Sequence, residues 1–215
     1  GRSYALLDLT QSAARDDAAS CSTVKRILII DGHPDPDRRR FCHVLSEAYG
    51  EGARETGNEV RTLTLAEMDV PILRTAQEFA AAPEGAAVQQ ARDDLIWCRH
   101  LVLIFPLWLG GAPAMLRALL EQVARANFMT ETTPGGMRQR LKGRSARLIV
   151  TMGMPALAYQ LIFHEHGVRN IMQGVMGFGG LAPIRRTLFG AIEAVTVHER
   201  QARIEKISQF GRDAR

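Results

Sequence analysis

Three short stretches of the chain are apolar without a break. They are Ile27-Leu28-Ile29-Ile30, Leu101-Val102-Leu103-Ile104-Phe105 and Leu148-Ile149-Val150. Runs this brief and this uniform predict strands buried on both faces, over 26–31, 101–105 and 147–151. Segments 60–65 and 184–189 are predicted as two further strands. Helical spacing separates them: Phe41, Val44, Leu45, Ala48 and Gly52; then Met115, Leu116, Leu119, Leu120 and Val123; then Ile204, Ile207 and Phe210. Helices are expected over 85–99, 114–126, 156–163, 168–177 and 197–211. The first helix is expected to be capped by Asp37 and closed by Gly57-Asn58. Segments 68–85 and 127–142 read as irregular excursions, the second around Pro134-Gly135-Gly136. Strand and helix alternate throughout, which predicts an α/β fold with a five-stranded parallel sheet covered on both faces. Residues 1–24 are polar and Ala-rich and are expected to form an arm outside the core, with one domain over 25–215.

Composition narrows the classes. The 215 residues suit one α/β domain, and an apolar content of 46% belongs to a packed core rather than to disorder. No apolar run is long enough to span a membrane, so no membrane insertion is expected. No basic segment followed by an apolar stretch opens the sequence, so no secretory signal is expected. Cys21, Cys42 and Cys98 have no metal spacing, and three is an odd set. They favour free thiols and a reducing, cytoplasmic compartment. The formal charge of +4 suits anionic cofactors but is too small to argue for nucleic acid.

Chemistry is expected in the loops that leave the strands, because ligands of open parallel sheets bind at the carboxyl ends of strands. After the strand at 101–105 comes Pro106-Leu107-Trp108-Leu109-Gly110-Gly111, then Pro113 at a helix start. This loop suits a flat, largely apolar ligand; it also reads as an ordinary connection with a buried Trp. After the strand at 26–31 comes Gly32-His33-Pro34-Asp35-Pro36-Asp37-Arg38-Arg39-Arg40. It enters a helix N-terminus, where unpaired N–H groups receive phosphate. Three arginines there are unfavourable for the helix itself, a conflict that a bound anion relieves. A solvated basic patch neutralised by Asp35 and Asp37 is the alternative. The loop is neither a Walker loop nor a GxGxxG fingerprint. His164-Glu165-His166 does not read as a metal site, since helix positions two apart do not share a face and HExxH is absent. Tyr159 reads as a proton donor to a substrate oxygen or as an amphipathic core residue.

Taken together these motifs resemble the flavodoxin-like NAD(P)H:quinone oxidoreductases, the DT-diaphorase and modulator-of-drug-activity family. The likeness runs from Lys25 to Gly211. It rests on Gly32-His33-Pro34 followed by Arg40-Phe41-Cys42-His43-Val44-Leu45, and on Phe105-Pro106-Leu107-Trp108 with Gly110-Gly111-Ala112-Pro113-Ala114-Met115-Leu116. Thr151-Met152-Gly153 with Tyr159 downstream, and Gly177-Phe178-Gly179-Gly180, complete it. The resemblance implies a doubly wound sheet of order 2-1-3-4-5. It implies that His33, Arg39, Arg40, Phe41 and Cys42 hold a flavin phosphate. Pro106, Leu107, Trp108 and Leu109, with Thr151, Met152 and Gly153, would line the isoalloxazine, the Met152 and Gly153 amides facing charge on the reduced ring. Tyr159 and His166 would face nicotinamide or quinone.

The chain departs from the family at several of these positions. Arg39, Arg40 and Cys42 stand where Ser/Thr and Asn are usual, and Leu109 stands where many members carry a second aromatic. The family's catalytic histidine falls near Glu165, between His164 and His166; His166 is taken because it precedes Gly167. The implied cofactor is FAD or FMN, FAD first, with NAD(P)H as donor and a quinone-like acceptor reduced by ping-pong two-electron transfer. A homodimer is implied, with 68–85 and 127–142 as contact segments. A regulatory or accessory subunit without turnover is the alternative.

Overall fold

The computed structural model describes residues 24–215, so the expected arm lies outside the described residues except for Val24. In chain order the elements are β1 (Arg26–Asp31), α1 (Phe41–Glu55), β2 (Glu59–Thr64), a 3-10 turn at Leu65–Glu67, α2 (Ala76–Ala80), α3 (Ala86–Trp97), β3 (His100–Pro106) and α4 (Ala114–Ala124). Then follow β4 (Thr130–Thr133), β5 (Gly136–Gln139), β6 (Ser145–Thr151), α5 (Ala156–Ile162), α6 (His166–Arg169), a π-helical segment at Asn170–Gly177, β7 (Ile184–Phe189) and α7 (Val197–Arg212).

Five parallel strands pair in the order β2-β1-β3-β6-β7, and β4 pairs with β5 in a separate hairpin. Because that hairpin falls between β3 and β6 in the chain, the sheet's fourth and fifth strands are β6 and β7. The three central strands are the apolar runs. Their alternation divides the core. Leu28, Ile30, Leu101, Leu103, Phe105, Leu148 and Val150 pack with Leu95 of α3 and with Leu116 and Leu119 of α4. Ile27, Ile29, Val102, Ile104 and Ile149 face the opposite way and pack with Leu45 and Tyr49 of α1 and Ile207 of α7. The edge strands β2 and β7 are more exposed and more polar, as expected of strands open to water along one side.

Three local expectations are corrected. The excursion at 127–142 contains the β4–β5 hairpin, turned at Pro134-Gly135. Its strands bury little, so no apolar alternation marks them; the β-branched Thr130, Thr132 and Thr133 beside Pro-Gly are the signal that does. The helix at 168–177 is one α turn followed by π-helix. Its widened turns run over Asn170–Gly177, and Gly180, at a φ of 97°, closes it: the Leu181 N–H donates to the Met176 carbonyl at 3.1 Å and the Gly180 N–H to the Gly177 carbonyl at 3.0 Å, the paired bonds of a glycine helix C-cap. Asp37 does not cap α1. Arg40 occupies the cap position, with no side-chain cap bond. The Asp37 carboxylate instead accepts from the Arg39 N–H at 3.1 Å, a turn two residues on.

Candidate active site

The sheet register brings four strand ends together. Asp31 pairs with Ile104, Pro106 with Thr151, and Thr151 with Phe189. The ladder continues past these ends. Gly32 N–H donates to Ile104 O at 2.7 Å, Leu107 N–H to Thr151 O at 2.7 Å, and Met152 N–H to Phe189 O at 2.8 Å. The expected site loops therefore sit side by side on one edge of the sheet. The last of these bonds corrects one detail. The Met152 amide is spent within the sheet, so it cannot face charge on a reduced ring. Gly153 is exposed, and its N–H donates to no backbone carbonyl among the described residues.

The loop at 33–40 is tied down by short-range polar contacts. His33 is buried, and its Nδ1 accepts from the Asp35 N–H at 3.1 Å. Burial, then the neighbouring His43, pushes the His33 ring below its ordinary value. Arg39 pairs with Asp37 at 2.9 Å and Arg40 with Asp35 at 2.6 Å, while Arg38 pairs with Glu67. The neutralised patch that the sequence left open is thus present. The side-chain hydrogen bond from Arg39, then its backbone one, lowers the Asp37 carboxyl to about 2. This pairing contributes fully above the usual carboxylate range and is lost as pH falls toward about 2. Without a side-chain cap, the Phe41 and Cys42 N–H groups donate to no backbone carbonyl among the described residues, while the His43 N–H donates to Arg40 O at 3.0 Å.

Cys42, in that first turn, is buried, and its Sγ lies 3.2 Å from Thr151 Oγ1. Burial pushes its thiol up to about 12, so it is a packing contact rather than a nucleophile. Phe41 is buried and stands 6.3 Å from the Phe189 ring, with the Arg200 guanidinium 4.3 Å over its face.

The loop after β3 closes into a tight turn. Trp108 and Gly111 exchange N–H···O bonds of 2.9 Å in both directions. The two residues between them have positive φ, 49° at Leu109 and 78° at Gly110. A turn of this hand favours Asn or Gly, and leucine there stores roughly 1–2 kcal/mol of strain. Leu109 is fully exposed at the tip, and Trp108 is 48% exposed, its ring edge-on to His33 at 6.1 Å. Trp108 is thus not the buried residue of an ordinary connection.

The segment after β6 leans on this turn. Tyr159 of α5 is fully buried; its hydroxyl donates to Gly110 O at 3.0 Å and accepts from the Val168 N–H at 3.4 Å. Gly167 packs against Gly110 and Gly111: an added Cβ would lie 2.7 Å from Gly111 Cα. His164 and His166 are both exposed, with ring centroids 5.8 Å apart. Between them Glu165 is buried, held by Arg186 at 2.6 Å and by Gln160 at 2.8 Å. Burial pushes its carboxyl up, but the Arg186 and Gln160 hydrogen bonds outweigh that and the net shift is downward.

His33, Phe41, Cys42, Pro106, Leu107, Trp108, Leu109, Thr151, Met152, Gly153 and Tyr159 therefore converge at one sheet edge, with His166 beside them at the start of α6. Arg39 is the outlier, its side chain 91% exposed and turned onto Asp37. Two pairs escaped the sequence reading: Asp31–His43, buried on both sides, and Glu165–Arg186, whose carboxylate is buried while its arginine is exposed. The only trace of the first is a charged residue ending an apolar strand and a polar residue on the buried face of a helix.

The model of the flavodoxin-like fold family matches residues 25–210. The chain belongs to that family. Its relatives agree with the motifs. The chain is 26% identical over 186 residues to an uncharacterized NAD(P)H oxidoreductase of Haemophilus influenzae, covering 85% of this chain and 92% of that one. It is 28% identical over 203 residues to an FMN-dependent NADH:quinone oxidoreductase of Cereibacter sphaeroides, covering 88% and 92%. The solved NAD(P)H:quinone oxidoreductase of Methanothermobacter marburgensis superposes with a TM-score of 0.74 at 18% identity, covering 89% and 97%, a likeness of fold. Among the described residues of this flavodoxin-like protein, no helix is long and apolar enough to cross a membrane.

Proposed function

We propose that the chain is a flavin-dependent NAD(P)H oxidoreductase that reduces quinones or similar acceptors. The observation that carries this reading is the uncapped N-terminus of α1 lying beside the Trp108 turn and the exposed Gly153 loop, an anion site next to an apolar shelf. FMN with NADH is the preferred pair, because curated relatives are named as FMN-dependent and NADH-using. A bound flavin supplies two-electron transfer between donor and acceptor. The first amides of α1, with His33 and Arg40, would hold its phosphate. Trp108, Leu107 and Pro106 would give the ring an apolar wall. The Gly153 amide is free to donate to negative charge on that ring. His166, exposed beside the turn, is placed to donate a proton to an acceptor oxygen. A reducing, cytoplasmic compartment belongs to the same proposal, and cysteines without metal spacing support it.

Reconstitution tests this reading. Apoprotein titrated with FMN should quench flavin fluorescence, and the complex should turn NADH over catalytically only when a quinone is supplied. Flavin binding without turnover would favour the accessory-subunit alternative; absence of binding would remove both. Arg40→Ala should weaken FMN affinity about tenfold, by loss of a charge-assisted contact. Equal affinity in the variant would leave the backbone amides as the phosphate site.

A homodimer also belongs to this proposal. Leu157, Leu161, Ile162 and Phe163 around α5 are exposed, as are Leu109, Ile72, Phe79 and Met137. The last three lie in the two excursions expected to make contacts. Exposed apolar surface of this kind suits a second copy. Sedimentation velocity at micromolar concentration should give a dimer, and a monomer would count against it.

A further inference from the structure

Asp31 closes β1 with its carboxylate buried, and His43 stands buried in the first turn of α1. His43 Nδ1 lies 2.6 Å from Asp31 Oδ2, and His43 Nε2 lies 2.8 Å from the carbonyl oxygen of Asp35. An ionised carboxylate and a peptide carbonyl can only accept. Either tautomer of a neutral imidazole has one donor and would leave one of these contacts unmade. With Asp31 ionised, both contacts are met only when both nitrogens donate, which makes the pair an imidazolium–carboxylate bridge. Such a pair is tolerated in an interior when the remaining lone pairs are also satisfied. Here the other Asp31 oxygen accepts from the His33 N–H at 3.3 Å.

What the ring joins is informative. On one side is the end of a central strand. On the other is Asp35, the hub of the loop. The Asp35 N–H donates to the His33 ring at 3.1 Å, its Oδ1 accepts from the Asp37 N–H at 2.9 Å, and its Oδ2 pairs with Arg40 at 2.6 Å. His33 and Arg40 are both residues read as holding the flavin phosphate. Neither is touched by His43 through a hydrogen bond; each is reached through Asp31 or Asp35.

We propose that His43 is a positioning residue for the flavin-phosphate loop: a doubly protonated bridge from Asp31 to the Asp35 carbonyl that holds residues 32–40 in the conformation that receives the cofactor. The proposal rests on reading that loop as the flavin site.

Three substitutions separate the two halves of the bridge. His43→Asn sets an amide N–H where Nδ1 stood, so the Asp31 contact survives and the Asp35 contact is lost. His43→Gln reaches Asp35 but leaves Asp31 without its partner. Asp31→Asn lets a neutral ring accept at Nδ1 and still donate from Nε2 to Asp35, so the bridge survives without its charge. Each variant is titrated with FMN by fluorescence quenching and melted as apoprotein. H43N should bind FMN about tenfold more weakly and melt below the wild type, since a hydrogen bond from a charged ring is lost and Asp31 keeps only a neutral partner. H43Q should melt lower yet bind within about threefold of wild type, and D31N should bind likewise. Should H43Q fail to fold, D31N carries the comparison. Affinities that simply follow melting temperature across the series would overturn the proposal and leave His43 as packing between α1 and β1. Nitrogen-15 spectra of His43 at neutral pH should show two protonated ring nitrogens; one unprotonated nitrogen would overturn the double bridge. A wild-type protein that binds no FMN defeats the flavin reading instead, and the nitrogen spectra still report on the bridge.

Discussion

Replacing Gly167 with alanine should lower the melting temperature by roughly 6–12 °C and abolish tight flavin binding. The new Cβ would lie 2.7 Å from Gly111 Cα and 3.0 Å from the Gly110 carbonyl carbon, and closer still to the Gly110 oxygen. These are backbone atoms, so no rotamer change can make room. Either α6 or the Trp108 turn must move. Overpacking of this kind costs about 3 kcal/mol or more, which for a chain of this size gives the shift stated. The turn that moves is the one presenting Trp108, so flavin affinity should fall with stability. Gly153→Ala is the matched control. An added Cβ there meets nothing within 4 Å, and its melting temperature should stay within about 2 °C of wild type. Calorimetry and an FMN titration on both variants decide the matter; an unshifted G167A would show that α6 does not press on the turn.

Tyr159→Phe should cost about 1–2 kcal/mol of stability, or roughly 2–8 °C, and slow both half-reactions by similar, small factors. Its hydroxyl proton is committed to Gly110 O, and the oxygen receives the Val168 N–H. Removing it leaves a buried carbonyl and a buried amide without that partner. Burial raises the phenol above its ordinary value, which makes it a poorer acid still. The motifs alone suggested that Tyr159 protonates the acceptor. Stopped-flow spectroscopy separates the two roles. Selective slowing of flavin reoxidation by quinone, by ~10²-fold with reduction by NADH untouched, would establish the phenol as the proton source. Equal modest losses would fix it as the strut between α5, α6 and the Trp108 turn.

The residues that sequence placed well share a physical reason. β1 runs over the stretch expected, because a buried run bounded by polar residues has few alternative registers. The convergence of His33, Trp108 and Thr151 was legible too, through the rule that ligand loops gather at strand ends. Asp37 misled because Asp serves both helix caps and turns, and the two uses differ by only a residue or two of spacing. The π-helical segment escaped because its widened turns resemble an irregular α pattern. The Asp31–His43 and Glu165–Arg186 pairs escaped for a different reason. Each joins separate elements, and periodicity within one element carries no trace of a partner in another.

The continuation of the ladder beyond the strands has a consequence for exchange with solvent deuterium. The Gly32, Leu107 and Met152 amides, each bonded to the neighbouring strand, belong with the central sheet. They should exchange as slowly as Ile29 or Leu103, through opening of the whole molecule. Gly153 and the turn tip at Leu109, a few ångströms farther along the same chain segments, should exchange in the earliest time points. The floor of the site thus opens last and its rim first, so cofactor release needs no loosening of the fold beneath it.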